Sequence, residues 1–138
     1  MNISPLGITP SVSLRPDFIA AIYPVVTFSD KRFVHKRSRR GLLGEWKKSS
    51  SLMQDSLSVE KHVTSTLSPV FLMNCIDDPI VKYQNSELLD AALTRSGVPH
   101  LYKQYKTGGH GFGSNPSAST DASGWKDLFV NWLKNMGF

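Results

Sequence analysis

Two uninterrupted apolar runs dominate the pattern of the chain. Phe18-Ile-Ala-Ala-Ile-Tyr-Pro-Val-Val26 and Pro69-Val-Phe-Leu-Met-Asn-Cys75 show no alternation of polar and apolar positions. Runs of this length and character suit strands buried on both faces of a parallel sheet. His100-Leu-Tyr-Lys-Gln-Tyr105 does alternate, as a half-buried edge strand would. Between the last two, Gln84 to Ser96 has helical spacing, with Leu88, Leu89, Ala92 and Leu93 on one side and Gly97 as a C-terminal stop. A second amphipathic helix is predicted from Trp125 to Met136, with Trp125, Leu128, Phe129, Trp132 and Leu133 on its apolar side.

Residues 1–14 carry Pro5, Gly7 and Pro10 among Ser and Thr and read as an irregular arm. Residues 28–62 are polar and basic, and predict small helices in a lid-like surface excursion, with Ser56 or Ser58 as a helix cap. Residues 107–124 form a Gly/Ser/Asn-rich loop. The order is strand, excursion, strand, helix, strand, helix. A strand–helix–strand unit of this connection length implies a parallel pair joined by a right-handed crossover. The fold class is therefore α/β, about three parallel strands with flanking helices over residues 15–138.

Composition narrows the function. The chain has 138 residues, 40% hydrophobic and 20% charged, an ordinary globular balance. The net charge of +5 suggests nucleic acid until it is located: residues 31–48 alone sum to +7, and the remainder to −2. A local patch with only Phe33 and Trp46 as interleaved aromatics is poor material for a nucleic-acid surface, and nucleic acid is not expected as a partner. The longest apolar run is far shorter than the roughly 20 residues a bilayer requires, so no membrane span is expected. No secretory signal is visible, which leaves the cytoplasm as the default compartment. The single cysteine, Cys75, excludes an internal disulfide and a cysteine-built zinc site.

Candidate chemistry sits just past the carboxyl ends of two strands, where α/β sheets place functional groups. Ile76-Asp77-Asp78-Pro79 follows one strand and Gly108-Gly109-His110-Gly111-Phe112-Gly113 follows the next. A carboxylate on one strand end can orient an imidazole on its neighbour. Taken singly, each cluster has a plainer reading, as an Asp-Pro turn and as a solvated loop histidine. Taken together on successive strands, they favour the functional one. A metal held by His110, Asp77 and Asp78 is a weaker option, since no tight ligand motif is present. His35, His62 and His100 have no partner pattern and read as ordinary polar residues.

From Arg15 to Phe138 the chain resembles the C-terminal part of the α/β-hydrolase fold, most closely bacterial acetyl-xylan and feruloyl esterases. The resemblance rests on Arg15-Pro-Asp-Phe18 leading into Tyr23-Pro-Val25, Ser38 to Gly44, Ser68-Pro-Val-Phe-Leu72, Asp77-Asp-Pro-Ile-Val81, Asn85-Ser86, Gly97-Val-Pro99, Gly108 to Gly113 and Trp132-Leu133, in order. It implies a fold whose strands here are equivalent to the family's last three, with Asp78 as the acid and His110 as the general base of a Ser-His-Asp triad. It implies that Asp77 supports the turn and that Phe112 lines the acyl or leaving-group side. An ester or carbohydrate is the implied ligand, with no cofactor and no metal. The family's Gly-x-Ser-x-Gly nucleophile elbow occurs nowhere in the chain, and neither Ser86 nor Ser114 has the glycine-flanked sharp turn that exposes a nucleophile.

The expectation is thus a truncated serine esterase that is inactive alone. Two alternatives stay open: a non-catalytic dimeric remnant or binding module using residues 31–48, and a hydrolase completed by another polypeptide that brings the serine. With the family's first five strands missing, the run Phe18–Val26 has an unpaired edge. That predicts a homo-oligomer, most simply a two-fold dimer pairing this strand with its copy. Light scattering on the dilute protein should return a dimer mass, and a monomer mass would remove the expectation.

Overall fold

The computed structural model describes residue 13 and residues 15–138; the arm expected at 1–14 lies otherwise outside the described residues. Three strands form one parallel sheet in the order β1 (Ile19–Ile22), β2 (Val70–Cys75), β3 (His100–Tyr105). Helices α1 (Lys36–Lys47) and α2 (Ser51–Leu57) lie between β1 and β2. Helix α3 (Gln84–Arg95) joins β2 to β3, and α4 (Trp125–Asn135) follows β3.

Strand β2 is the centre of the molecule, and all six of its residues are buried. Its side chains alternate between two cores. Phe71, Met73 and Cys75 pack with Trp125 and Trp132 of α4. Val70 and Leu72 pack with Leu89 and Leu93 of α3 and with Val98. The unbroken apolar run is thus explained by a helix on each face of the sheet. On the α4 side, Phe71, Phe129 and Trp132 meet ring to ring, with centroids 5.0–6.2 Å apart. The apolar residues expected on α4 all face this core.

Helix α3 ends as the sequence predicts. Gly97 takes φ +65°, and the Val98 N–H closes back on the Leu93 carbonyl at 3.0 Å. This left-handed stop costs glycine little and other residues more.

The first apolar run departs from expectation. Only Ile19–Ile22 is strand, four residues of the nine from Phe18 to Val26, and it is partly buried where full burial was expected. Tyr23 breaks it with φ +41°, and Pro24 has no N–H to give to a ladder. Beyond that point the backbone leaves the sheet, and side chains from elsewhere satisfy its N–H groups. Among the described residues no strand pairs with the outer edge of β1.

The excursion forms small helices, as expected. Ser50 caps α2 through the Met53 N–H, and Ser58 takes the N-cap position of a short 3-10 helix, Val59–Lys61, without a side-chain cap bond. Ser58 is fully buried, accepts from the N–H groups of Phe28 and Ser29 and donates to the Gln54 carbonyl. Helix α1 is broken at Gly44, which has φ +68° and ψ 178°. His35 caps its start, with Nδ1 accepting from the Ser38 N–H at 3.4 Å.

One buried side chain ties the excursion to the sheet. Asn85, fully buried in the first turn of α3, accepts from the N–H groups of Val26 (2.9 Å) and Thr27 (3.1 Å). Its amide donates to the carbonyls of Phe33 (2.9 Å) and Lys82 (3.0 Å). All four of its hydrogen-bonding positions are used. Asn85→Ala should therefore cost about 3 kcal/mol of unfolding free energy in urea, because it strands buried backbone groups as well as losing bonds. A loss below about 1 kcal/mol would mean that water replaces the amide freely.

Candidate active site

The sheet register brings three strand ends to one edge. Cys75 is paired with Tyr105, and Ile76 N–H continues to the Tyr105 carbonyl at 2.8 Å. Ile22 is paired with Met73, and Tyr23 N–H reaches the Met73 carbonyl at 2.7 Å. Tyr23, the pair Asp77 and Asp78, and the loop 107–113 therefore leave the sheet side by side.

At this edge Asp78 and His110 meet. Asp78 Oδ2 lies 2.7 Å from His110 Nδ1. The Asp78 side chain is 1% exposed and the His110 ring 25%. The other carboxylate oxygen accepts from the N–H groups of Ile80 (2.8 Å) and Val81 (2.9 Å). This is the turn that Pro79 helps to set. The carboxylate is thus fixed by backbone donors on one oxygen and presents the other to the imidazole. Because Nδ1 faces a carboxylate acceptor, it is assigned the proton, and Nε2 carries a free lone pair. Among the described residues nothing hydrogen-bonds Nε2.

Asp77 takes a different part. Its two oxygens accept from the N–H groups of Gly108 (3.2 Å) and Gly109 (2.8 Å), which ties down the start of the histidine loop. Gly108 itself is packed so tightly that a Cβ there would fall 2.5 Å from Cys75 Sγ and 2.8 Å from Ala122 Cβ. Burial pushes the Cys75 thiol up to about 11, so at neutral pH it is an uncharged floor beneath the loop.

Tyr23 completes the cluster, and the pattern of the sequence does not single it out. Its ring centroid lies 4.5 Å from that of His110 and 5.0 Å from that of Phe112. Its hydroxyl accepts from the Gly113 N–H at 3.1 Å. Among the described residues Tyr23 is the one non-glycine with positive φ, a conformation costing about 1–3 kcal/mol. Its sequence signal is faint: a tyrosine directly before the proline that interrupts an apolar run.

The remaining candidates lie apart. Ser86 is buried within α3 and Ser114 is exposed beyond the loop, and neither hydrogen-bonds His110. His100 pairs with Asp90 at 3.0 Å and His62 with the Asp55 carbonyl at 2.9 Å. Among the described residues no group of three or more His, Cys, Asp or Glu side chains is arranged to hold a metal. No described helix is long and apolar enough to cross a membrane. A cleft of about 590 Å³ lies on the excursion among Ser29, Asp30, Gln54, Asp55 and Lys61 and does not include His110.

The fold and the placement of the cluster at the carboxyl edge define a partial α/β-hydrolase fold. Residues 11–136 match the prolyl oligopeptidase family, and the chain belongs to that family. Over 100 residues, 72% of this chain, it is 34% identical to endo-1,4-beta-xylanase B of Butyrivibrio fibrisolvens, of which the match covers 15%. An acetyl ester-xyloside bifunctional hydrolase from Caldicellulosiruptor lactoaceticus superposes with a TM-score of 0.81 at 34% identity, over 90% of this chain and 44% of that one. A carboxylesterase from Lactobacillus plantarum shares the fold with a TM-score of 0.63 at 21% identity, over 88% of this chain and 45% of that one. The chain thus spans less than half the length of these relatives.

Proposed function

We propose that the chain carries the acid-and-base half of a serine-hydrolase active site that cleaves acyl esters, with acetylated xylan-type polysaccharide as the substrate class. The observation that carries this reading is the 2.7 Å bond between buried Asp78 and the partly exposed His110, which leaves Nε2 free. The substrate class is drawn from the names of the relatives, a xylanase and a bifunctional acetyl ester-xyloside hydrolase.

In the proposed reaction His110 Nε2 removes the proton of a serine hydroxyl as the oxygen attacks the ester carbonyl. The imidazolium so formed is held by Asp78, which does not itself take the proton. His110 then returns the proton to the departing sugar oxygen, and the acyl-serine is hydrolysed by water activated in the same way. Phe112, packed edge-on to Tyr23, stands beside the ring and would border the acyl or leaving group. The serine and the donors for the oxyanion are not supplied by Ser86 or Ser114 and must come from a segment that carries a nucleophile elbow.

The isolated chain should neither turn over p-nitrophenyl acetate nor react with a fluorophosphonate probe. Co-expressed with a polypeptide that carries a Gly-x-Ser-x-Gly nucleophile elbow and the strands before it, it should hydrolyse the ester, and His110→Ala should lower that rate by about 10³-fold or more. Covalent labelling of a serine in the isolated chain, or a reconstituted rate indifferent to His110→Ala, would contradict the proposal.

A further inference from the structure

We infer that Tyr23 is a positioning residue that locks the imidazole of His110 in its Asp78-bonded orientation by clamping the far end of the histidine loop. The inference rests on the proposed role of His110 as a base, and adds a residue from a third strand to the site.

Three observations converge on Tyr23. The loop 108–113 is held at its start, where Asp77 binds the N–H groups of Gly108 and Gly109. Its end is held separately, where Gly113 N–H donates to the Tyr23 hydroxyl. Glycines occupy 108, 109, 111 and 113, all with positive φ, so the loop's own backbone does little to fix a side chain. Without the second anchor His110 would stand on a tether fixed at one end.

The ring itself makes the second contact. The Tyr23 and His110 centroids are 4.5 Å apart with the planes tilted by 50°, which blocks rotation of the imidazole on that side. Phe112 packs on the same tyrosine ring at 5.0 Å, so the residues on either side of Gly111 share one aromatic support.

The third observation is the backbone of Tyr23. A bulky residue with φ +41° is an outlier, and such conformations persist where the surroundings over-determine them. The end of β1 is forced to turn sharply there, and the turn sets the tyrosine against the histidine. Plain chain reversal would be met more easily by glycine. With a tyrosine, the turn delivers a ring and a hydroxyl to the loop.

The test uses the chain as it stands and reads the loop rather than overall stability. In Tyr23→Phe the ring stays and the hydroxyl is lost. The Gly113 amide should then exchange with solvent about tenfold faster, the change expected from one hydrogen bond of ordinary net worth, while core amides of β2 keep their rates. In Tyr23→Leu the aromatic support is lost as well, and the low-field His110 Nδ1–H signal of the Asp78 bond should broaden into exchange with water. Unchanged Gly113 exchange in Tyr23→Phe overturns the clamp. A sharp His110 signal in folded Tyr23→Leu overturns the orientation claim. Should Tyr23→Leu fail to fold, Tyr23→Asn, which tolerates the left-handed backbone, takes its place, and the Tyr23→Phe exchange result decides the clamp by itself. A wild-type His110 carrying its proton on Nε2 would instead defeat the general-base reading, with the clamp still judged by Gly113 exchange.

Discussion

Strand β2 has little polar face to offer water. Phe71, Met73 and Cys75 demand cover on one side, and Val70 and Leu72 on the other. Burying one large apolar side chain is worth about 1.5–3 kcal/mol, so the strand can persist only between two layers. Helix α4 supplies one with its tryptophans, and α3 the other with its leucines. Parallel pairing on both sides is the consequence, because each neighbouring strand is reached through a crossover. From that pairing comes the site. Parallel strands in register end on the same edge, and their ends lead directly into Tyr23, Asp77-Asp78 and the glycine loop of His110.

The division of labour at that edge is chemical as well as geometric. Two adjacent aspartates point to different tasks because they occupy different positions in one turn. Asp78 has its first oxygen saturated by two backbone N–H groups and turns the second to the imidazole. Asp77 spends both oxygens on the glycine amides of the loop. A glycine-rich loop thereby holds its side chain in one place. Asp78 orients an imidazole that keeps a free edge, and the 590 Å³ cleft on the excursion does not enclose that edge. This fits a chain that spans less than half of its solved relatives.

Much of this is legible in the sequence because it depends on local pattern. The two-faced burial of β2, the stop of α3 at Gly97 and the apolar stripe of α4 are each written in consecutive residues. Asp78 and His110 can be paired because the strand ends that carry them are successive along the chain. Three features are hidden. The run Phe18–Val26 looks like one long strand, since its composition gives no warning that Tyr23 takes a left-handed turn. Asn85 looks like a helix opener, and three of its bonds reach back 52 to 59 residues. Tyr23 touches Gly113 across 90 residues. Such contacts arise from tertiary placement, which neither propensity nor periodicity encodes.

The central claim is that the chain by itself holds the His110 imidazole with Nδ1 hydrogen-bonded to Asp78 and Nε2 free. Nitrogen-15 spectroscopy of the histidine-labelled protein at mildly alkaline pH addresses it directly. The account predicts a protonated Nδ1 and an unprotonated Nε2 for His110, with the tautomer preference lost in Asp78→Ala. A His110 ring with its proton on Nε2, or one averaging between the two tautomers in the unmodified protein, would contradict it.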